Sequence, residues 1–347
     1  MERNVDLRSD TVTLQSDEMK EAMMRAEVGD EYYGDDPAVI ALQELAAKML
    51  GKESALFTAS GTMGNLVSIL TQTKRREMMI MEYDAHSFRC EVGNFVVAGG
   101  VVPKLVKGNR GVMEPADIEA AIPATGWAFS ELTMLSVENT HNGAGGTCVS
   151  PEHMAAYRKI ADKHGLKIHV DGARIFNAAV AQGVDAKELA KDADSLSFCL
   201  SKGLACPFGG LVVGSKELTT EARKYQQMVG GGFRQIGYMA AAGIYALNNM
   251  IDRLAEDHEN AKVLARGLQD LGMDVDMETV QTNMVSFAVP EKLIGAADFA
   301  KKMNAIDGIK MNGPKGNRIR LVTHYGIVKS DIEYCLDAAR KVVRAKN

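Results

Sequence analysis

Five short apolar runs, separated by helix-like stretches, constrain the fold of this chain more than any other feature. They cover residues 52–58, 133–137, 166–170, 195–200 and 210–214. Alternation of such runs with helical patterns predicts β-α-β units and a mostly parallel sheet. Local signals mark the helices between them. Ser150-Pro151-Glu152 combines a capping hydroxyl, proline at the first helical position and an acid in the first turn. The helix it opens should end at Gly165, a favoured terminating residue. Further helices are expected after Ala59-Ser-Gly-Thr62, over 63–71, and over 185–191.

Near residue 250 the character changes. Residues 251–272 read as a long charged amphipathic helix with Leu254, Ala261, Leu264, Leu268 and Leu271 on its apolar side. Strand-like runs follow at 284–289 and 318–322, with helices at 296–303 and 330–343. The expected organisation is an N-terminal arm (1–20), a large α/β domain (21–250) and a smaller C-terminal α+β domain (251–347), within ordinary domain sizes.

Composition removes several function classes. A net charge of -5 argues against a binder that neutralises nucleic-acid phosphates. The longest near-apolar run, 95–103, is far short of the ~20 residues a membrane helix needs, so no membrane partner is expected. The first ten residues lack an apolar core, so no secretory signal is expected. Five scattered cysteines form no C-x-x-C and suggest reduced thiols in a cytoplasm.

In parallel α/β sheets, ligands bind beyond the carboxyl ends of the strands. After the first run stand Ser60, Gly61 and Thr62 at a helix start, which is either a phosphate cradle or a simple cap. After the third comes Asp171-Gly-Ala-Arg174, which could be only a local ion pair. After the fourth comes Ser201-Lys202-Gly203. A lysine behind a buried strand can attack a carbonyl and form a Schiff base. An amine, a carboxylate and an anion cradle on one sheet edge match what pyridoxal 5'-phosphate (PLP) requires. No G-x-G-x-x-G follows a strand and no P-loop occurs, which disfavours dinucleotide or nucleoside triphosphate chemistry.

Longer motifs carry a resemblance. They are Asp6-Leu-Arg-Ser-Asp-Thr-Val12, the stretch 28–37, Glu138-Asn-Thr-His-Asn-Gly143, the stretch 169–177, Leu200-Ser-Lys-Gly203, Gly230-Gly-Gly-Phe-Arg-Gln235 and Arg320-Leu-Val-Thr-His324. Together they resemble the low-specificity L-threonine aldolases, within the PLP-dependent β-eliminating lyases of the aspartate aminotransferase-like superfamily (fold type I). The resemblance implies that Lys202 carries the Schiff base and Asp171 pairs with the pyridinium nitrogen. It implies that Gly61 and Thr62 hold the phosphate, that Arg234 reaches it, and that His86 stacks on the ring. Ser9, Arg174 and Arg320 would clamp the substrate carboxylate, and Tyr33 would line the site. Glu91 would support the His86 loop. His141 and His169 read as structural, and no metal is expected. A homo-oligomer (dimer or tetramer), with Tyr33 and Arg234 crossing between subunits, is implied as well.

The implied reaction is cleavage of L-threonine, L-allo-threonine and related β-hydroxy-α-amino acids to glycine and an aldehyde. Either His86 or a water near it would take the β-hydroxyl proton. Elimination from another amino acid is the alternative, and a PLP-binding protein without turnover is a further one. Two departures bear on the substrate. Relatives carry a histidine about ten residues before Glu138, where this chain has Ala128, and an aromatic where it has Cys90. Both are expected at the substrate end of the site.

Overall fold

The computed structural model describes residues 4–344. Residues 1–3 of the expected arm and 345–347 of the expected C-terminal domain lie outside the described residues. The strands are β1 (Val5–Asp6), β2 (Ser54–Thr58), β3 (Met78–Glu82), β4 (Val102–Val106), β5 (Leu132–Glu138), β6 (Lys167–Asp171), β7 (Ser195–Cys199) and β8 (Gly210–Gly214). After these come β9 (Asp274–Val275), β10 (Met284–Ala288), β11 (Ile309–Lys310) and β12 (Arg318–Val322).

Seven strands form the main sheet in the order β2-β8-β7-β6-β5-β3-β4. All neighbours are parallel except that β8 runs antiparallel to both β2 and β7. The parallel strands β5, β6 and β7 therefore end together, at Glu138, Asp171 and Cys199. All five residues of β7 and of β8 are buried, the expected state of strands covered on both faces. The expected helices form close to their predicted bounds. The helix Pro151–His164 has Ser150 as its cap and stops at Gly165 with φ 68. Gly61–Gln72 is capped by the Ser60 hydroxyl, which accepts from the Met63 N–H.

Strands β3 and β4 carry weaker signals. β4 contains Pro103 and sits at the sheet edge, where a missing N–H costs no ladder bond. A second apolar core lies in the C-terminal part, around the antiparallel sheet β12-β10-β9 and the helices Ala296–Asn304 and Lys329–Arg344. The helix Leu254–Asp270 joins the two cores, with Leu254 in the first and Ala261, Leu264 and Leu268 in the second. The N-terminal segment does not stand apart as an arm. β1 pairs in parallel with β11, and Val5 and Leu7 are fully buried in the second core. A two-residue strand has no periodicity from which that could be read. Among the described residues, no helix is long and apolar enough to cross a membrane.

Candidate active site

Lys202 follows β7 in a tight loop. The Ala205 N–H donates to the Lys202 carbonyl at 2.8 Å, with Ala205 in the left-handed region at φ 64. Lys202 borders a cleft of about 490 Å³ with Ser9, His86, Cys90, Arg174 and Arg320. Five of the expected site residues thus converge from five stretches of chain: the Ser9 segment, the loop after β3, the turn after β6, the loop after β7, and β12.

Arg174 does not pair with Asp171. Its Nε and Nη2 donate to the two carboxylate oxygens of Asp10, at 2.7 and 2.6 Å. Both side chains are buried, and Asn283 Nδ2 donates a third bond to Asp10 at 3.1 Å. Burial alone would raise the Asp10 carboxyl, but the Arg174 charge and hydrogen bonds outweigh it and hold it far below the usual range. Arg320 has no carboxylate partner among the described residues. Its Nη1 donates to Asn142 Oδ1, and Nη2 makes a long 3.5 Å contact with the Arg8 carbonyl. Burial and the neighbouring Arg174 charge lower its pKa, so Arg320 is a cation that would gain from a bound anion.

His86 begins the short helix that follows β3. Its Nδ1 lies 3.0 Å from Glu91 Oε1, and Nε2 has no partner among the described residues. The Glu91 bond raises the His86 pKa against the opposing effect of burial. The His86 N–H donates to Glu138 Oε2 at 2.6 Å, while Glu138 Oε1 accepts from the Asn142 N–H at 2.7 Å. One buried carboxylate therefore fixes the loops that carry both His86 and the Asn142 partner of Arg320. His141 is buried beside Glu82, 2.9 Å from its Oε2, and its Nδ1 accepts from the Ala144 N–H. It organises this loop and does not border the Lys202 cleft.

Asp171, at the end of β6, accepts from Asn65 Nδ2 at 2.8 Å and from the Ala173 N–H at 3.2 Å. The Gly61 and Thr62 N–H groups take no acceptor from the described chain. A Cβ added at Gly61 would lie 2.5 Å from Cys199 Sγ, so only glycine keeps this helix start against β7. An amine, a buried carboxylate and free N–H groups at a helix start fit the aldehyde, ring nitrogen and phosphate of PLP. His86, Glu91 and Asp171 also place one ligand atom each within 4.8 Å of one another, a spacing that could hold a cation. Both carboxylates already accept from Asn65, and Glu91 also bonds His86.

Three expected residues lie elsewhere in the chain. Tyr33 is 78% exposed. Arg234 stacks over Tyr32 at 4.4 Å, and its carbonyl accepts from the Glu31 N–H. Tyr33 and Arg234 thus sit on adjoining loops, outside their own chain's cleft. Ala128 is also outside it. It precedes β5, at the opposite end of the sheet from Lys202, and borders a separate cleft with Arg75, Trp127 and His164. Of the two departures, only Cys90 meets the substrate end within one chain. Asp10, Asn142 and Asn65 were not singled out from sequence. Asp10 lies inside a quoted motif and Asn65 four residues beyond Gly61, but nothing local shows that their partners are distant.

A profile of the β-eliminating lyases matches residues 6–290. The chain is 41% identical to low-specificity L-threonine aldolase 1 of Arabidopsis thaliana, over 98% of this chain and 97% of that one. It is 41% identical to the low specificity L-threonine aldolase of Escherichia coli (strain K12), over 94% and 96%. Among solved structures, a threonine aldolase from Leishmania major superposes with TM-score 0.82 at 19% identity, covering 98% and 99% of the two chains. A serine palmitoyltransferase from Sphingomonas wittichii does so with TM-score 0.78 at 16% identity, covering 99% and 88%. These two likenesses are of fold. On the full-length identities and the family match, the chain belongs to the β-eliminating lyase family, among the low-specificity L-threonine aldolases.

Proposed function

We propose that this lyase is a PLP-dependent aldolase that splits L-threonine, L-allo-threonine and related β-hydroxy-α-amino acids into glycine and an aldehyde. The observation that carries this reading is the meeting of Lys202, His86, Arg174 and Arg320 on one cleft. Bound there, PLP supplies an aldehyde and an electron-accepting ring that stabilises negative charge at the substrate α-carbon. Lys202 is the amine that holds it. Asp171 is the carboxylate that keeps the ring nitrogen protonated, and the Gly61 and Thr62 N–H groups receive the phosphate.

Arg320, with no acidic partner among the described residues, grips the substrate carboxylate in a planar, two-point fashion, helped by Ser9 and the Arg174 charge. That grip orients the bond to be broken. His86 Nε2 takes the β-hydroxyl proton, directly or through one water. The Glu91 bond at Nδ1 strengthens it as an acceptor. Cys90, in place of a bulkier aromatic, leaves room beside the β-substituent.

The adjoining exposed loops of Tyr33 and Arg234 support a homo-oligomer in which these residues complete a neighbour's site. Five free cysteines fit a reducing, cytoplasmic setting. The test is to load purified protein with PLP and supply both threonine isomers and phenylserine, assaying aldehyde and glycine. Lys202→Ala should abolish product. No aldehyde from any of the three substrates would overturn the aldolase reading, and pyruvate with ammonia from serine or cysteine would replace it with β-elimination.

A further inference from the structure

Behind Asp171 and Glu91 lies a buried hydrogen-bonded group, centred on Asn65, whose other members the mechanism above does not use. Asn65, on the inner face of the helix Gly61–Gln72, donates from Nδ2 to Asp171 Oδ2 at 2.8 Å and to Glu91 Oε1 at 2.9 Å. Its Oδ1 lies 2.5 Å from Ser197 Oγ and 3.2 Å from His169 Nε2. His169 Nδ1 lies 2.8 Å from Ser195 Oγ, which accepts from Gln72 Nε2 at 2.7 Å. Asn65, His169, Asp171, Glu91, Ser195 and Ser197 are all buried.

The donor and acceptor rules leave this group a single direction. Ionised carboxylates only accept, so the amide must turn its two N–H bonds to Asp171 and Glu91. Its oxygen then faces Ser197 and His169, and both must donate to it. His169 is buried, and burial pushes its pKa down to about 4, so it is neutral and carries one proton. That proton must be on Nε2. Nδ1 is left to accept from Ser195, whose oxygen accepts in turn from Gln72. Reversing any one bond would set two acceptors or two donors face to face, without water to replace the loss.

We propose that Asn65, backed by His169 and Ser197, is a positioning residue that sets the orientation of both cofactor-facing groups, Asp171 directly and His86 through Glu91. This rests on the cofactor assignment above. One amide spaces two carboxylates that would otherwise repel, and it holds Asp171 apart from Glu91, which faces His86. The effect is to keep the Asp171 charge for the ring nitrogen and the Glu91 charge for His86.

Two measurements test it. In ligand-free protein, a nitrogen-15 histidine spectrum at neutral pH should show His169 as the neutral Nε2–H tautomer. The Nδ1–H tautomer would overturn the proposal. In the holoenzyme, Asn65→Asp removes both donated bonds and adds a carboxylate without changing size. It should raise the PLP dissociation constant about tenfold or more, because both donated bonds to charged carboxylates are lost and a third carboxylate is added. It should also shift the cofactor's visible absorbance and lower kcat while leaving KM for the amino acid near wild type, because the arginine clamp is untouched. Ser197→Ala, which removes one hydroxyl, should move the same readouts in the same direction by less, and decides the matter if Asn65→Asp does not fold. Wild-type affinity, absorbance and kcat in a folded variant would refute the role of Asn65. Absence of PLP absorbance in the wild-type protein would instead refute the cofactor assignment.

Discussion

Asp10→Asn isolates the charge in the buried pair that holds Arg174. The substitution keeps the shape of the side chain, so it opens no cavity. It leaves a guanidinium, with only 5% of its side chain exposed, beside Arg320 and without its counter-charge. Removing one partner of a buried ion pair costs about 3–5 kcal/mol. At an unfolding entropy of about 2.1 cal/mol/K per residue, that loss lowers the melting temperature by about 4–7 °C. Because the folded Asp10 pKa is depressed, its contribution is fully present above the ordinary carboxylate pKa of about 4, begins to fall below it, and is gone only once pH has passed through the depressed folded value. The gap between wild type and variant should therefore be widest at neutral pH and narrow as pH falls from about 4 to 3. Differential scanning calorimetry across pH 3–7 measures both effects. A carboxylate such as acetate, bound in the cleft that Arg174 and Arg320 border, should stabilise the variant more than the wild type. A melting-temperature loss below about 1 °C, or a gap that does not shrink in acid, would refute this account of the pair.

Three further outcomes are expected. Glu91→Gln removes the charge of the partner that raises the His86 pKa, so a proton NMR titration of ligand-free protein should find the His86 midpoint lowered; an unchanged midpoint would count against Glu91 as the cause. Gly61→Ala drives a methyl toward Cys199 Sγ and should weaken PLP binding about tenfold or more, with part of the affinity returning in Gly61→Ala/Cys199→Ala; equal loss in both variants would show that the contact is not responsible. Mixing inactive Lys202→Ala chains with inactive Arg234→Ala chains should restore part of the activity, because a mixed assembly rebuilds one site with Lys202 from one chain and Arg234 from the other. No recovery after subunit exchange would mean that Arg234 serves its own chain or none.

The comparison of sequence with structure is clearest residue by residue. The helix from Pro151 to Gly165 was legible because its cap, its first proline and its stop are all local. Strands β5 to β8 were legible because burial on both faces demands unbroken apolar runs. β1 was not, since its two residues owe their strand to β11, some three hundred positions away. The site divides in the same way. Asp171 ends β6 and Lys202 lies in the loop just after β7, where a parallel sheet offers its ligands. Arg174 stands there too, yet its neighbour in sequence, Asp171, proved not to be its partner.

The sequence by itself therefore pointed to the chemistry available: an amine, an acid and an anion cradle at the ends of parallel strands, while the arginines for a carboxylate came from the family resemblance. It could do so because backbone hydrogen bonding and apolar periodicity are local and repeat along the chain. Only the tertiary structure decided how those groups are held. It brought Asp10 to Arg174 and Asn142 to Arg320, set Asn65 between two carboxylates, and kept Ala128, Tyr33 and Arg234 out of their own chain's cleft. Those outcomes depend on strand order and on which loops share a sheet edge. A buried polar group must find its partner wherever packing puts one, and separation along the chain carries no information about where that is.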